Sequence, residues 1–154
     1  MARSFRRRGR GFKVTLGPDD RAVLGSLCEQ LRARLLSDDS SDPALVRLFP
    51  AAYPDDPLRS LEFEHTAGGG LLDERLEGIE TMEATLGSET LTEEQLSAWL
   101  AVVNASRIVF GTRLGITEET TQGDFAADPD ARGTFDLYRY LTWLEAEIVE
   151  VLPV

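Results

Sequence analysis

The sequence predicts a mainly α-helical protein, a single-domain bundle of about five helices, and it allows one short strand near the N-terminus. Three observations predict this class. Apolar residues recur at steps of three and four along long stretches, which is the spacing of one helix face. Pro18, Pro43 and Pro129 each follow a Gly or an Asp, as at the first position of a helix. Thr92 precedes Gln95 by three residues, which is the spacing of a capping box.

Length and composition indicate a globular domain. The chain has 154 residues, of which 42% are apolar and 28% charged, enough for one hydrophobic core and well outside the disordered class. No apolar run reaches the roughly 18 residues of a membrane span, and the basic start lacks the apolar stretch that follows it in a signal peptide. We therefore expect a cytoplasmic protein that makes no membrane contact.

The counts of cysteine and histidine exclude several kinds of site. The chain has one cysteine, Cys28, and one histidine, His65. A single cysteine cannot form an intrachain disulfide or a cysteine-rich zinc site, and a single histidine cannot form a His-rich metal cluster. We expect no metal and no cofactor.

The N-terminus divides into two parts. Arg and Gly dominate residues 1–11, so we expect a flexible arm there and a single helical domain over residues 12–154. Apolar and polar residues alternate over Phe12–Leu16, which favours a short strand. Its partner is not obvious, because the segment Leu61–His65 also alternates but is equally compatible with a helix.

The first helix is predicted to begin at Pro18 and to end before the polar run at residues 37–42. A short helix over Ala44–Phe49 follows, and prolines then make residues 50–57 irregular. A further helical stretch is expected from Leu58, and the three glycines at 68–70 either end it or mark a break before Leu71–Leu86. The face of the first helix predicted to be buried consists of Val23, Leu24, Leu27, Cys28, Leu31 and Leu35.

The helix that follows Thr92 is the most apolar of the chain and is predicted to end at Gly115. Its apolar residues cover more than one face, which indicates a central, largely buried helix. We expect Ile116–Ala127 to be a loop with one helical turn. The last helix should start at Pro129 and bury Phe135, Tyr138, Leu141, Leu144, Ile148 and Val151.

The basic residues of the N-terminus form the first candidate site. Of 16 basic and 27 acidic residues, six basic and no acidic ones fall before position 17, which leaves 10 basic against 27 acidic ones in the rest. Such a cluster can neutralise phosphates, and Phe5 and Phe12 could stack on bases. The alternative is a solvated tail that folds back on the protein's own acidic surface. The candidate nucleic-acid contacts are Arg3, Arg6, Arg7, Arg8, Arg10 and Lys13.

Two other groups of residues suggest catalysis only weakly. Four glutamates recur at steps of three and could bind a metal, but a solvated helix face is the better interpretation for Glu74, Glu77, Glu80 and Glu83. His65 has Ser60 and Asp73 nearby in sequence, yet no nucleophile motif accompanies them. We therefore expect no enzyme activity.

Polar residues within the central apolar helix form a second candidate site. Asn104 and Arg107 are three residues apart and share one side of the helix, with Arg113 nearly two turns further on. Buried polar groups need partners or a cleft. We favour a structural role in which Arg107 pairs with an acid such as Asp55 or Asp56, over a ligand or partner site.

Three segments of the chain resemble the actinobacterial AosR-like family. They are LFPAAYPDDP at 48–57, AWLAVVNASRIVFGTRLGI at 98–116 and YRYLTWLEAEIVEVL at 138–152. The resemblance implies a cytoplasmic, non-enzymatic protein in transcription linked to oxidative stress, with a sigma factor or DNA as partner. An intrachain redox switch needs two thiols, so sensing by Cys28 would require an intermolecular disulfide or a sulfenic acid.

An alternative function follows from the acidic composition. The net charge of −11 suits a protein-interaction or scaffold module whose acidic surface binds the partner, without a role in nucleic-acid binding. In that case Cys28 is a small buried hydrophobe on the first helix and the basic N-terminus is a solvated tail.

Overall fold

Five α-helices and a three-stranded antiparallel sheet form the part of the chain that the computed structural model describes, residues 3–37, 42–48, 70–125 and 127–153. The predicted mainly α-helical class is confirmed. The strands are β1 (Phe5–Arg8), β2 (Gly11–Val14) and β3 (Thr90–Leu91); the helices are α1 (Pro18–Leu35), α2 (Pro43–Leu48), α3 (Gly70–Thr85), α4 (Glu93–Leu114) and α5 (Pro129–Val151).

The expectation of a flexible arm over residues 1–11 is wrong where the structure describes it, because the segment supplies β1 and the turn of a hairpin. Phe5 pairs with Val14 and Arg8 with Gly11. The turn between them has Gly9 at a φ of 62°, the left-handed conformation that a two-residue hairpin loop needs. Phe5 is 1% exposed, and its burial stabilises β1. The three arginines that follow it hide the alternation of apolar and polar residues by which a strand is recognised in a sequence.

The strand predicted at Phe12–Leu16 is confirmed as β2, shifted by one or two residues. It is the middle strand and pairs with β1 on one side and β3 on the other. Gly11 is required at this place, because a Cβ there would lie 2.8 Å from the Leu91 carbonyl oxygen. The alternative strand partner, Leu61–His65, and the helix predicted from Leu58 lie outside the described residues.

Helix α1 begins as predicted, with Pro18 in its first turn. Asp19 and Asp20 lie in the same turn and stabilise it, because their negative charges interact favourably with the positive end of the helix dipole. The predicted buried face is correct except for Val23, which is 39% exposed. Arg21 fastens this end of the helix to the loop before β3, because it donates hydrogen bonds to the carbonyl oxygens of Leu86 and Ser88. That loop leads directly into the sheet.

The central position predicted for the apolar helix is confirmed by α4, which packs against α2, α3, α5 and the sheet. Thr92 caps it, accepting a hydrogen bond from the Gln95 amide at 3.1 Å while the Gln95 side chain accepts one from the Thr92 amide at 2.9 Å. Gly115 ends the helix with a φ of 66°, as predicted.

The two remaining long helices also begin and end close to their predicted limits. Asp128 caps α5 by accepting hydrogen bonds from two backbone amides of the first turn, and α3 covers nearly all of the predicted Leu71–Leu86. The predicted loop before α5 contains one 3-10 turn, Gln122–Phe125. None of the described helices is both long and apolar enough to cross a membrane.

Candidate nucleic-acid interface

The outer face of the β1–β2 hairpin carries three basic side chains. Side chains alternate between the two faces of a strand, so Arg6 and Arg8 project opposite to the buried Phe5. Arg6 lies directly across from Lys13 in the ladder. The hairpin therefore presents a compact positive surface, which we call the basic hairpin face (Arg6, Arg8 and Lys13).

The positive charge of the hairpin is largely uncompensated. Arg3 forms an ion pair with Glu150 of α5, with 2.9 Å between Nη2 and Oε1. The other basic residues of the hairpin have no acidic partner within the described parts of the chain, and all of them are exposed; they are Arg6, Arg7, Arg8, Arg10 and Lys13.

A shallow depression of about 490 Å³ lies beside the hairpin turn. Arg8 and Arg10 supply its positive side, and Thr92 and Gln95 at the start of α4 supply its polar side. The depression is open to solvent and continuous with the exposed arginines. It can hold a phosphate next to two guanidinium groups.

The core, and not solvent, surrounds the aromatic residues of the hairpin. Phe5 and Phe12 are 1% and 2% exposed, so the expectation that they stack on bases is wrong. They instead hold the hairpin against α4, because the Phe5 ring meets Trp99 edge-on. The hairpin can therefore offer charge and backbone shape to a nucleic acid but no aromatic stacking platform.

Cys28 lies in the core of the bundle on α1. It is fully buried, and this burial, together with the nearby Glu83 carboxylate, raises the pKa of its thiol from 9.0 to about 11. Since the thiolate is the reactive form, the folded protein holds this cysteine in an unreactive state near neutral pH.

Among the described residues, the acid that pairs with Arg107 is Glu145 of α5. The Nε of Arg107 donates a hydrogen bond to the Thr142 hydroxyl at 2.8 Å, and its Nη1 lies 3.6 Å from a Glu145 carboxylate oxygen. The guanidinium also lies over the Tyr138 ring at 5.2 Å. Arg107 thus ties α4 to α5, which is a structural role.

The other polar residues predicted around Arg107 do not share one site with it. Asp55 and Asp56 lie outside the described residues. Asn104 is half-buried on α4, whereas Arg113 lines a separate groove between α1 and α4. Sequence reasoning missed Ser106, a buried hydroxyl in that same groove; its signal was a polar residue within an apolar helix.

The row of glutamates on α3 is mostly solvated, as its spacing suggests. Glu74, Glu77 and Glu80 are exposed, while Glu83 forms an ion pair with Arg32. Within the described residues no three His, Cys, Asp or Glu side chains are grouped as metal ligands would be. His65 and Ser60 lie outside the described residues, and Asp73 is exposed on α3.

No curated protein and no solved structure matches the chain. The family described as a domain of unknown function, DUF2017, matches residues 2–152. This match extends over the basic hairpin and the helical bundle together, and the chain therefore belongs to the DUF2017 family.

Proposed function

We propose that the protein is a non-enzymatic binding protein that contacts the phosphate backbone of nucleic acid through its basic hairpin face. The observation that carries the proposal is the direct opposition of Arg6 and Lys13 across the β1–β2 ladder. Like charges directly opposite each other destabilise a sheet, and neither residue has an acidic partner among the described residues. A polyanion supplies the missing negative charge.

The ordered hairpin makes this contact more favourable than a flexible arm would. Phe5, Phe12 and Val14 fix the hairpin on the bundle, so the backbone that carries the arginines loses little conformational freedom on binding. A two-stranded antiparallel ribbon also has the width that the major groove of DNA accepts. These features support binding to a duplex rather than to a single strand.

The acidic composition of the rest of the chain limits the contact to the hairpin. The 27 acidic residues outnumber the 16 basic ones, and a polyanion is repelled by a surface of its own sign. The protein should therefore approach nucleic acid in one orientation, with the hairpin first and the helical body turned toward a protein partner.

A charge-matched pair of variants tests the proposal. Arg6→Gln/Arg8→Gln removes two cations from the hairpin face, and Arg47→Gln/Arg132→Gln removes two exposed cations elsewhere. Binding of each full chain to a random-sequence DNA duplex is measured by fluorescence anisotropy across a salt series. The slope of log K against log salt is negative, and each lost phosphate contact lowers its magnitude by about 0.9, so the magnitude should fall by about 1.8 in the hairpin variant.

The control variant should keep the wild-type slope. Equal slopes for the two double variants, or the absence of wild-type binding at low salt, would overturn the proposal. The test separates a specific role of the hairpin from a general effect of net charge, because the two variants have the same net charge.

A finer proposal concerns the process that the protein serves. The resemblance to the AosR-like family supports transcription regulation under oxidative stress, with a sigma factor as the protein partner in the cytoplasm. The buried Cys28 does not favour direct thiol sensing. We therefore expect Cys28→Ala to bind its partner as the wild type does, before and after peroxide treatment. A peroxide response that disappears in this variant would restore the thiol as the sensor.

A second candidate function rests on the exposed glutamates of α3. Glu74, Glu77 and Glu80 form one acidic helix face, which could bind a basic protein partner without any nucleic acid. Under this alternative, changing all three to Gln abolishes capture of the partner, whereas Arg6→Gln/Arg8→Gln leaves it unchanged. Loss of capture in Arg6→Gln/Arg8→Gln, with capture retained in the glutamate variant, supports the basic hairpin face as the binding surface.

A further inference from the structure

A groove of about 470 Å³ separates α1 from α4, apart from the basic hairpin face. Its walls are apolar, with Leu27 and Leu31 on α1 and Val109 and Phe110 on α4. A volume of this size is within the range of small-molecule sites, which are mostly apolar with a few placed polar groups. We call it the α1–α4 groove.

Ser106 lies in the wall of the α1–α4 groove and is the first of its placed polar groups. The residue is 3% exposed, and its hydroxyl has no hydrogen-bond partner within the described residues. An unpaired buried hydroxyl costs about 1–3 kcal/mol. A ligand atom in the groove that accepts or donates a hydrogen bond removes this penalty.

Two arginines stand at the edge of the groove, and among the described residues one of them has an acidic partner. Arg34 forms an ion pair with Asp42 at 2.5 Å, and Asp42 also accepts a hydrogen bond from the Ala44 amide. Arg113 is exposed and has no acidic partner in the described part of the chain. Among the described residues, the charged side chains that line the groove therefore leave one net positive charge.

The position of the arginines alone does not indicate a ligand. Both lie in the last turn of their helices, where basic residues are common because they interact with the helix dipole. The unpaired Ser106 hydroxyl and the apolar walls are independent of that effect. The apolar walls, the unpaired Ser106 hydroxyl and the Arg113 guanidinium together describe a site for a molecule with an apolar part and a single negative charge.

We propose that the α1–α4 groove binds an amphipathic monoanion, a carboxylate with an aliphatic tail. The carboxylate pairs with the Arg113 guanidinium, for which two parallel hydrogen bonds are the favoured geometry, and one of its oxygens also accepts a hydrogen bond from the Ser106 hydroxyl. The tail lies against Leu31, Val109 and Phe110. This ligand site is distinct from the contact with nucleic acid and does not depend on it.

Decanoate is the probe, with decanol as the uncharged probe of the same tail length. Isothermal titration calorimetry on the full chain should show binding of decanoate that is about tenfold tighter than that of decanol. Arg113→Gln should weaken decanoate binding about tenfold and leave decanol binding unchanged. Both measurements are made below the concentration at which decanoate forms micelles.

Two further variants locate the site. Ala33 is exposed and lines the groove, so Ala33→Phe fills it without entering the core, whereas Ala22→Phe places the same ring three turns away on α1 as the matched control. The first should abolish binding of both probes and the second should have no effect. Circular dichroism and urea unfolding establish that each variant is folded.

Ser106→Ala gives a readout that a general loss of structure cannot imitate. Removing an unpaired buried hydroxyl should maintain or raise the stability of the free protein, while decanoate binding becomes weaker. No binding of decanoate at millimolar concentration would overturn the proposal. So would equal affinities for decanoate and decanol, or wild-type affinity in Arg113→Gln. DNA binding is measured separately and should be unaffected by any of these variants.

Discussion

The ring of Phe5 meets the ring of Trp99 edge-on, with centroids 6.2 Å apart and an angle of 85° between the planes. The contact joins the first strand of the hairpin to the middle of the bundle, because Trp99 lies fully buried on α4. The position of the basic hairpin face therefore depends on a hydrophobic contact with the central helix. Binding and stability are linked at this point.

Phe5→Ala should destabilise the protein strongly. The substitution removes a buried ring and leaves a cavity against Trp99, which typically costs 3–5 kcal/mol. Urea unfolding followed by circular dichroism measures the change in the free energy of unfolding. Arg7→Ala, on the exposed part of the same strand, is the control and should change stability by no more than about 0.5 kcal/mol. Similar losses for the two variants would show that the hairpin is not anchored by Phe5.

Arg6→Glu should change stability and nucleic-acid binding in opposite directions. A glutamate across from Lys13 replaces a like-charge pair with an opposite-charge pair, which favours the sheet by about 0.2–1 kcal/mol. The same change removes a phosphate contact and places a repulsive charge on the hairpin face. Urea unfolding and fluorescence anisotropy with duplex DNA measure the two effects.

The matched control for Arg6→Glu lies at the turn. Arg10→Glu changes the net charge equally but has no cross-strand partner in the β1–β2 pairing. It should weaken DNA binding without raising stability. A gain in stability in both variants would indicate a general effect of charge rather than the pair with Lys13.

The thiol of Cys28 should react slowly in the folded protein. Burial raises its pKa to about 11, above the ordinary value of 9.0, so the thiol stays protonated near pH 8. Reaction with a chromogenic disulfide reagent at pH 8 should be fast in urea and slow without it. An exposed thiol introduced as Ser37→Cys in a Cys28→Ala background is the control and should react at once.

The raised pKa of Cys28 also predicts how stability depends on pH. The unfolded chain loses the thiol proton near pH 9, whereas the folded chain keeps it until about pH 11. The unfolded state therefore binds fewer protons in this window, and stability falls as the pH rises through it. The stability difference between wild type and Cys28→Ala should accordingly shift against the wild type between pH 9 and 11. A constant difference would show that the thiol has the same pKa in both states.

Thr85→Val should destabilise the protein although it keeps the shape of the side chain. The Thr85 hydroxyl accepts a hydrogen bond from the indole N–H of Trp99 at 2.8 Å, and both groups are buried. The valine leaves that N–H unpaired at a cost of about 1–3 kcal/mol. Thr85→Ser retains the acceptor and should lose less in a urea unfolding measurement. Equal losses would attribute the effect to packing.

Local chemistry made the helices predictable. Thr92 and Gln95 satisfy each other's backbone amides within four residues, and Gly115 ends the same helix by its own conformational freedom. Neither signal needs information from elsewhere in the chain. The burial of Cys28 followed from its place on an apolar helix face, although the same pattern misplaced Val23, which lies at the edge of the packed face.

The candidate sites were less predictable because their partners are distant in sequence. The sequence identified the basic residues of the hairpin, but β1 is an ordered strand because Phe5 packs against Trp99, which is far away in the chain. Arg107 pairs with Glu145 of α5, and no local pattern distinguishes that acid from the many others. Ser106 stands out only when its hydroxyl is seen to be buried without a partner among the described residues.

The sequence by itself determined the helical class, the ends of the principal helices and the concentration of positive charge before residue 17. These properties depend on hydrophobic spacing, capping and composition, which act over a few residues. Only the tertiary structure decided that the charged segment is a strand, that Arg6 faces Lys13, and that the groove between α1 and α4 is lined by Arg113, which has no acidic partner among the described residues. The physical reason is that strand pairing, burial and charge compensation are set by contacts between residues far apart in the chain.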